Sequence, residues 1–155
     1  MTNPLGDFAI GTVTVSADGN EQNGCGKPLY SWRVEILPFP RSWDPSRRWD
    51  SEANKKLFGE YRGFAYPFCD PKSGEKAIPD TMVFAITGPG TAFGDGKTAP
   101  KSLNDISPST ILAVEVCRSG TPWAAPGDFD IRTMPRTINA AGGKEISSFY
   151  GPPCQ

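Results

Sequence analysis

The sequence contains no histidine. That single absence removes Ser-His-Asp and Cys-His nucleophile systems, histidine-ligated metals and histidine proton shuttles, and with them most hydrolase chemistries. No stretch reaches the roughly 18 to 20 apolar residues of a membrane helix, and Met1 to Asp7 lacks the basic and apolar regions of a signal peptide. The sequence therefore reads as soluble and without an address. Neither sign of charge is in excess: 16 basic and 17 acidic residues give a net charge of −1, with no long run of either, so nucleic-acid binding has little electrostatic support. Cysteine is sparse. The four, Cys25, Cys69, Cys117 and Cys154, are far apart and none stands at the Cys-x-x-Cys separation of zinc and redox motifs. Two disulfides formed in an oxidising compartment and buried free thiols both account for an even count in such a chain.

What is plentiful is glycine and proline, 17 and 16 in 155 residues. They interrupt almost every candidate helix, so the chain is read as one domain, 1–155, made of many short elements joined by turns. Nine Phe, four Trp and four Tyr supply the large buried areas that a hydrophobic content of 37% would otherwise leave short.

Along the chain, Phe8 to Val15 alternates β-branched residues and is expected to be a strand ending in the turn Ala17-Asp18-Gly19-Asn20. Tyr30 to Leu37 alternates large apolar with polar residues before Pro38 and reads as a strand or a short helix. Glu52 to Phe58 is the clearest helix, capped by Asp50 or Ser51 and closed by Gly59 and Gly63. Thr81 to Thr87 suits a core strand that Gly88-Pro89-Gly90 stops. Thr110 to Val116 is the most strand-like segment and is expected in the core, with a last short strand over Glu145 to Tyr150. The fold class expected is α+β, a loop-rich antiparallel sheet packed against one or two short helices.

Several motifs suggest chemistry and fall short of it. Gly88 to Thr98 ends in Gly-Lys-Thr like a phosphate-binding loop, but Thr91 stands where the first glycine belongs and Ala99-Pro100 where the helix should start, so a turn is expected. Asp18-Gly19-Asn20-Glu21 and Gly94-Asp95-Gly96 lack the alternating ligand series and distal glutamate of a calcium loop. A carboxylate pair of the glycosidase kind survives only as an unlocated option among 17 acids. Pro38-Phe39-Pro40-Arg41 and Trp43-Asp44-Pro45 resemble a polyproline ligand loosely. Trp32, Trp43, Trp49 and Trp123 either pin loops onto the core or line a sugar-stacking face. No catalytic, cofactor-binding or metal-ligating residue is assigned, and no cofactor is expected.

From Tyr30 on, an ordered series of landmarks appears: Ser-Trp-Arg-Val-Glu-Ile-Leu-Pro at 31–38, Trp-Asp-Ser-Glu-Ala-Asn-Lys at 49–55 and Phe-Cys-Asp-Pro at 68–71. Thr-Gly-Pro-Gly-Thr-Ala-Phe at 87–93, Thr-Ile-Leu-Ala-Val-Glu-Val at 110–116, Pro-Trp-Ala-Ala-Pro-Gly-Asp at 122–128 and Ile-Ser-Ser-Phe-Tyr-Gly at 146–151 follow. Together they resemble the domain of unknown function 1559, a pseudopilin-like family abundant in planctomycete bacteria. The resemblance covers residues 30–155 and leaves 1–29 as a variable segment. It implies a pilin-like globular domain of the type II secretion and type IV pilin kind, with a structural role in the cell envelope or the secreted space, and brings with it no known enzymatic activity or catalytic residues. Three departures limit it. Met1 to Leu29 is polar and Gly-rich and lacks the family's prepilin helix; the turn at Ser107-Pro108-Ser109 is shortened; and Tyr150 stands near the family's histidine, with the distal Asp-Gly element missing.

Three functions are compatible with these features. The first is a non-enzymatic module acting through protein partners, including self-association at an exposed sheet edge. The second is an extracellular module binding a glycan or small solute. A carboxylate-based hydrolase is the third and least supported.

Overall fold

Ser31 sets the start of the first described element. In the computed structural model, which describes residues 29–37, 43–63, 65, 68–73, 76–94, 103–138 and 146–147, Ser31 is extended (φ −80°, ψ 148°) and its Oγ accepts from the Arg33 N–H at 3.2 Å. Helix α1, Trp32–Glu35, follows. Of the two forms expected for Tyr30 to Leu37, this is the helical one: Tyr30 and Val34, four residues apart, are both buried, as one helical face requires.

Helix α2, Glu52–Glu60, is capped by Ser51, whose Oγ accepts from the Asn54 N–H. Asn54 and Phe58, again four apart, form its buried face. The Asn54 amide ties the preceding turn down: Nδ2 donates to the carbonyls of Asp44, Arg47 and Arg48, and Oδ1 accepts from the Asp44 N–H. The helix ends between the two glycines expected to close it, running one residue past Gly59 to Glu60, with Tyr61 donating its N–H to the Leu57 carbonyl. A Cβ at position 59 would sit 3.3 Å from the Ala77 carbonyl oxygen. Glycine is there to admit a neighbouring segment, not to end the helix.

The main apolar cluster draws on both helices and the loops around them: Tyr30, Val34, Phe58, Ala65, Cys69, Ile78, Trp123 and Ala124, with Leu29, Leu37, Trp43 and Trp49 packed against it. Its aromatics meet edge-on or tilted, Tyr30 to Trp43 at 4.6 Å between centroids and Phe58 to Trp123 at 5.4 Å. These are the offset geometries that ring quadrupoles favour.

Among the described residues there are three strands, β1, Val83–Thr87, β2, Ala113–Glu115, and β3, Phe129–Asp130, in the order β2-β1-β3. The α+β class holds, but the sheet is mixed and not antiparallel throughout. β1 runs antiparallel to β2 (Phe84 opposite Val114) and parallel to β3 (Ile86 opposite Phe129). The parallel pairing arises because the chain returns to β1 through a long connection, not a hairpin.

Segment 110–116 departs most from expectation. It is an edge strand, not a core strand: Ile111 is 66% exposed and Ala113 is exposed, and only Val116 at its end is fully buried. Its β-branched composition signals strand, and composition does not distinguish centre from edge. β1, flanked on both sides, takes the central place with Phe84, Ala85 and Ile86 buried. It ends at Gly88, where φ is +115° and a Cβ would lie 3.0 Å from Ile131 Cγ2, so a side chain there would be strained. Of the expected last strand only Ile146 and Ser147 are described. Ser147 donates its N–H to the Glu115 carbonyl, its Oγ accepts from the Cys117 N–H, and Ile146 bridges Ile138. The expected strand at 8–15 and the Asp18 loop lie outside the described residues.

Candidate functional site

The least expected charge in the molecule is Arg33, whose side chain is entirely buried. Helix α1 points it at β1. Its Nε donates to the Val83 carbonyl at 2.8 Å, NH1 donates to Ser31 Oγ at 2.6 Å, and NH2 reaches the Val83 and Gly127 carbonyls and Asp128 Oδ1. The guanidinium carbon lies 4.9 Å from the Trp32 ring centroid and 5.1 Å from that of Phe84, within cation–π range. Asp128 Oδ1 in turn accepts from Trp32 Nε1 at 3.1 Å and from the Ala85 N–H at 2.9 Å. One carboxylate and one guanidinium thus join α1, β1 and the loop before β3. Burial pulls the Arg33 guanidinium below its ordinary value against the opposing pull of Asp128, and burial pushes the Asp128 carboxyl up against Arg33 and its donors.

A second polar knot lies at the start of β1. Cys69 and Thr81 form an antiparallel bridge, as do Asp80 and Pro122. Ser73 Oγ donates to the Asp70 carbonyl and accepts from the Asp80 N–H, and Ser119 Oγ donates to the Thr81 carbonyl while accepting from the Thr121 N–H. The carboxylates have separate partners: Asp70 accepts from the Lys72 and Arg118 N–H groups, and Asp80 pairs with Lys76 Nζ at 2.5 Å.

Cys69 sits among them as a free thiol, 6% exposed. Burial first, then the Asp80 and Asp70 charges, push it up to about 12, with only Arg33 pulling the other way. A thiol so held is protonated at neutral pH and is not a nucleophile. Of the two readings of the cysteines, Cys69 takes the buried-thiol one. Cys117 is disulfide-bonded. Among the described residues, no group of three or more His, Cys, Asp or Glu is placed to hold a metal.

The four tryptophans do not assemble into a stacking face. Trp123 is fully buried, Trp43 and Trp49 pack on the same apolar cluster, and Trp32 is engaged by Asp128 and, edge-on, by Phe68. The Gly-rich loop after β1 folds back as a turn, with the Gly88 N–H donating to the Gly94 carbonyl. Its Gly-Lys-Thr end lies outside the described residues, as do Pro38 to Arg41, Asp95, Cys25 and Cys154. Sequence reasoning did not single out Arg33 or Asp128. They are 95 residues apart, Arg33 stands in an apolar alternation as an ordinary polar partner, and no spacing rule connects them.

No family model matches the chain, and no solved structure matches it. The chain is similar to an NADH-quinone oxidoreductase subunit from Gluconacetobacter diazotrophicus, with 42% identity over 53 residues. The match covers 32% of this chain and 9% of that protein's length. No helix among the described residues is long and apolar enough to cross a membrane.

Proposed function

We propose that the chain is a non-enzymatic structural and interaction module of the cell envelope or secreted space, built like the globular part of a pseudopilin-like protein. The observation that carries this reading is the Arg33–Asp128 pair. All three guanidinium nitrogens donate to the protein itself, and Asp128 Oδ1 takes three donors from it. Charges so committed hold backbone in place and leave little to offer a substrate. Cys69, the one described free thiol, is held protonated. The ordered landmarks from Tyr30 to Gly151 and the disulfide at Cys117, which suits an oxidising compartment, support the same reading. The likeness to an oxidoreductase subunit spans 9% of that protein and does not carry its activity across.

Fractionation of source cells, combined with cross-linking of intact cells, tests the proposal. The chain is expected in the envelope or medium, in cross-linked species heavier than itself. Recovery in the cytosol as an uncross-linked chain would sink it.

A further inference from the structure

Strand β2 has one side on β1 and one side free for part of its length. The Ile86 N–H donates to the Leu112 carbonyl and the Val116 N–H to the Met82 carbonyl, so residues 112, 114 and 116 direct their backbone groups inward. Residues 111, 113, 115 and 117 direct theirs outward. Ser147 occupies the outward groups at one end, meeting the Glu115 carbonyl and the Cys117 N–H. At the other end, among the described residues, no backbone hydrogen bond reaches the outward groups of Ile111 or Ala113, and both residues are exposed.

The opposite edge of the sheet differs. β3 is two residues long, and the Thr133 and Met134 N–H groups close back onto the Asp130 carbonyl, while Arg132 clamps the Asp130 carboxylate. Short strands, turns and charges are how edges are kept from pairing. The stretch from Ser107 to Val114, Ser-Pro-Ser-Thr-Ile-Leu-Ala-Val, has no charge at all, and its one proline precedes the open positions.

We infer that the outer edge of β2 at Ile111–Ala113 pairs with the same edge of a second copy of this chain, antiparallel and about a two-fold axis. This rests on the interaction-module reading and names its partner and surface. Two identical strands brought edge to edge antiparallel are related by a two-fold, so each residue's contact is repeated. The absence of charge across 107–114 makes self-pairing free of like-charge repulsion, and exposed Ile111 adds apolar contact beside the new ladder. Ser147 limits the pairing to a few residues. The buried area is therefore far below the roughly 1,200 Å² of stable complexes, and the dimer is weak and concentration-dependent.

Sedimentation of the full chain over a wide concentration range, with hydrogen exchange at both extremes, is the test. Wild type is expected to show a monomer–dimer equilibrium, with slower exchange at the Ile111 and Ala113 amides at high concentration. Ala113→Pro removes only an outward-pointing N–H and leaves the β1 ladder intact; Ile111→Lys places a charge on the edge. Each is expected to weaken the dimer at least tenfold with an unchanged melting temperature, while Ile131→Lys, at an exposed residue beyond β3, leaves it unchanged. A dimer insensitive to both edge replacements, or a chain that stays monomeric at the highest concentration, overturns the inference. Neither result touches the envelope and cross-linking outcome, on which the module reading stands or falls separately.

Discussion

The two halves of this molecule are held by different physics. On the helical side, Tyr30, Trp43, Phe58 and Trp123 meet edge to face or tilted, with Val34, Ile78 and Ala124 in the same cluster, and apolar area removed from water does the holding. On the sheet side, strands of five, three and two residues bring little area, and β1 is fixed to its surroundings by a buried charge pair. The first half rests mainly on shared apolar contact. The second depends on a few polar contacts.

Truncation of one anchoring side chain in each half gives the largest expected effects. Phe58→Ala is expected to cost about 3–5 kcal/mol in urea unfolding, by transfer and cavity terms together. Arg33→Met is expected to cost about as much, 3–5 kcal/mol, for another reason: it strands the Asp128 charge in a largely buried site. The two are told apart by a double-mutant cycle. Arg33→Met combined with Asp128→Asn should cost clearly less than the two single replacements added together, whereas Phe58→Ala with Asp128→Asn should be additive. Additivity in the first cycle would show that the pair is not the pin described above.

Cys69 lies where the halves meet and reports whether they open. With its thiol at about 12 against an ordinary 9.0, the thiolate fraction near pH 8 is about 1,000-fold below that of an unfolded cysteine. Alkylation of the native chain should be slower than that of the urea-unfolded chain by at least that factor. Fast native labelling would mean that the polar knot around Asp70 and Asp80 loosens readily.

The smallest effect is electrostatic and local to the end of the sheet. Hydrogen bonds from Arg132 hold the Asp130 carboxyl at about 2, below its ordinary 3.8. The folded value lies below the unfolded one, so this contribution is present above about pH 4 and is lost as pH falls toward 2. Arg132→Ala should raise Asp130 only part of the way toward 3.8 in an NMR titration, because the residue 132 N–H still donates to its carboxylate, and leave stability near pH 7 almost unchanged, since the pair is exposed.

The sequence made some of this legible and hid the rest for identifiable reasons. Helix α2 announces itself through Ser51 and the Asn54–Phe58 spacing, and β1 through its apolar run and the Gly88 stop, because these signals are local. Whether 31–37 is strand or helix is not local: Trp32, Val34 and Ile36 alternate like a strand, and the Ser31 cap with tertiary burial of Tyr30 and Val34 decides for the helix. Gly59 misleads because a glycine that stops a helix and one that admits a neighbour look the same in a sequence. The place of β2 at the edge and the parallel pairing of β3 follow from the path of the whole chain. The Arg33–Asp128 pair, the centre of the candidate site, was invisible for the same reason.

The order of the strands also governs when the sheet can exist. β1 finds nothing to pair with nearby in the sequence: Val83 waits for Glu115, 32 residues on, and Ile86 for Phe129, 43 residues on. During synthesis Val-Phe-Ala-Ile-Thr emerges with both edges bare; one edge waits for β2, and the other stays bare until β3 follows, Phe129 coming 43 residues after Ile86. Non-local pairing of this kind slows folding and lengthens exposure to neighbouring nascent chains. Pulsed hydrogen exchange during refolding should find α2 amides protected before those of β1; the reverse order would mean that the strand is sheltered by some earlier contact. A chain built this way meets its greatest hazard of misassembly before it is finished, at the strand that becomes the least accessible part of its sheet.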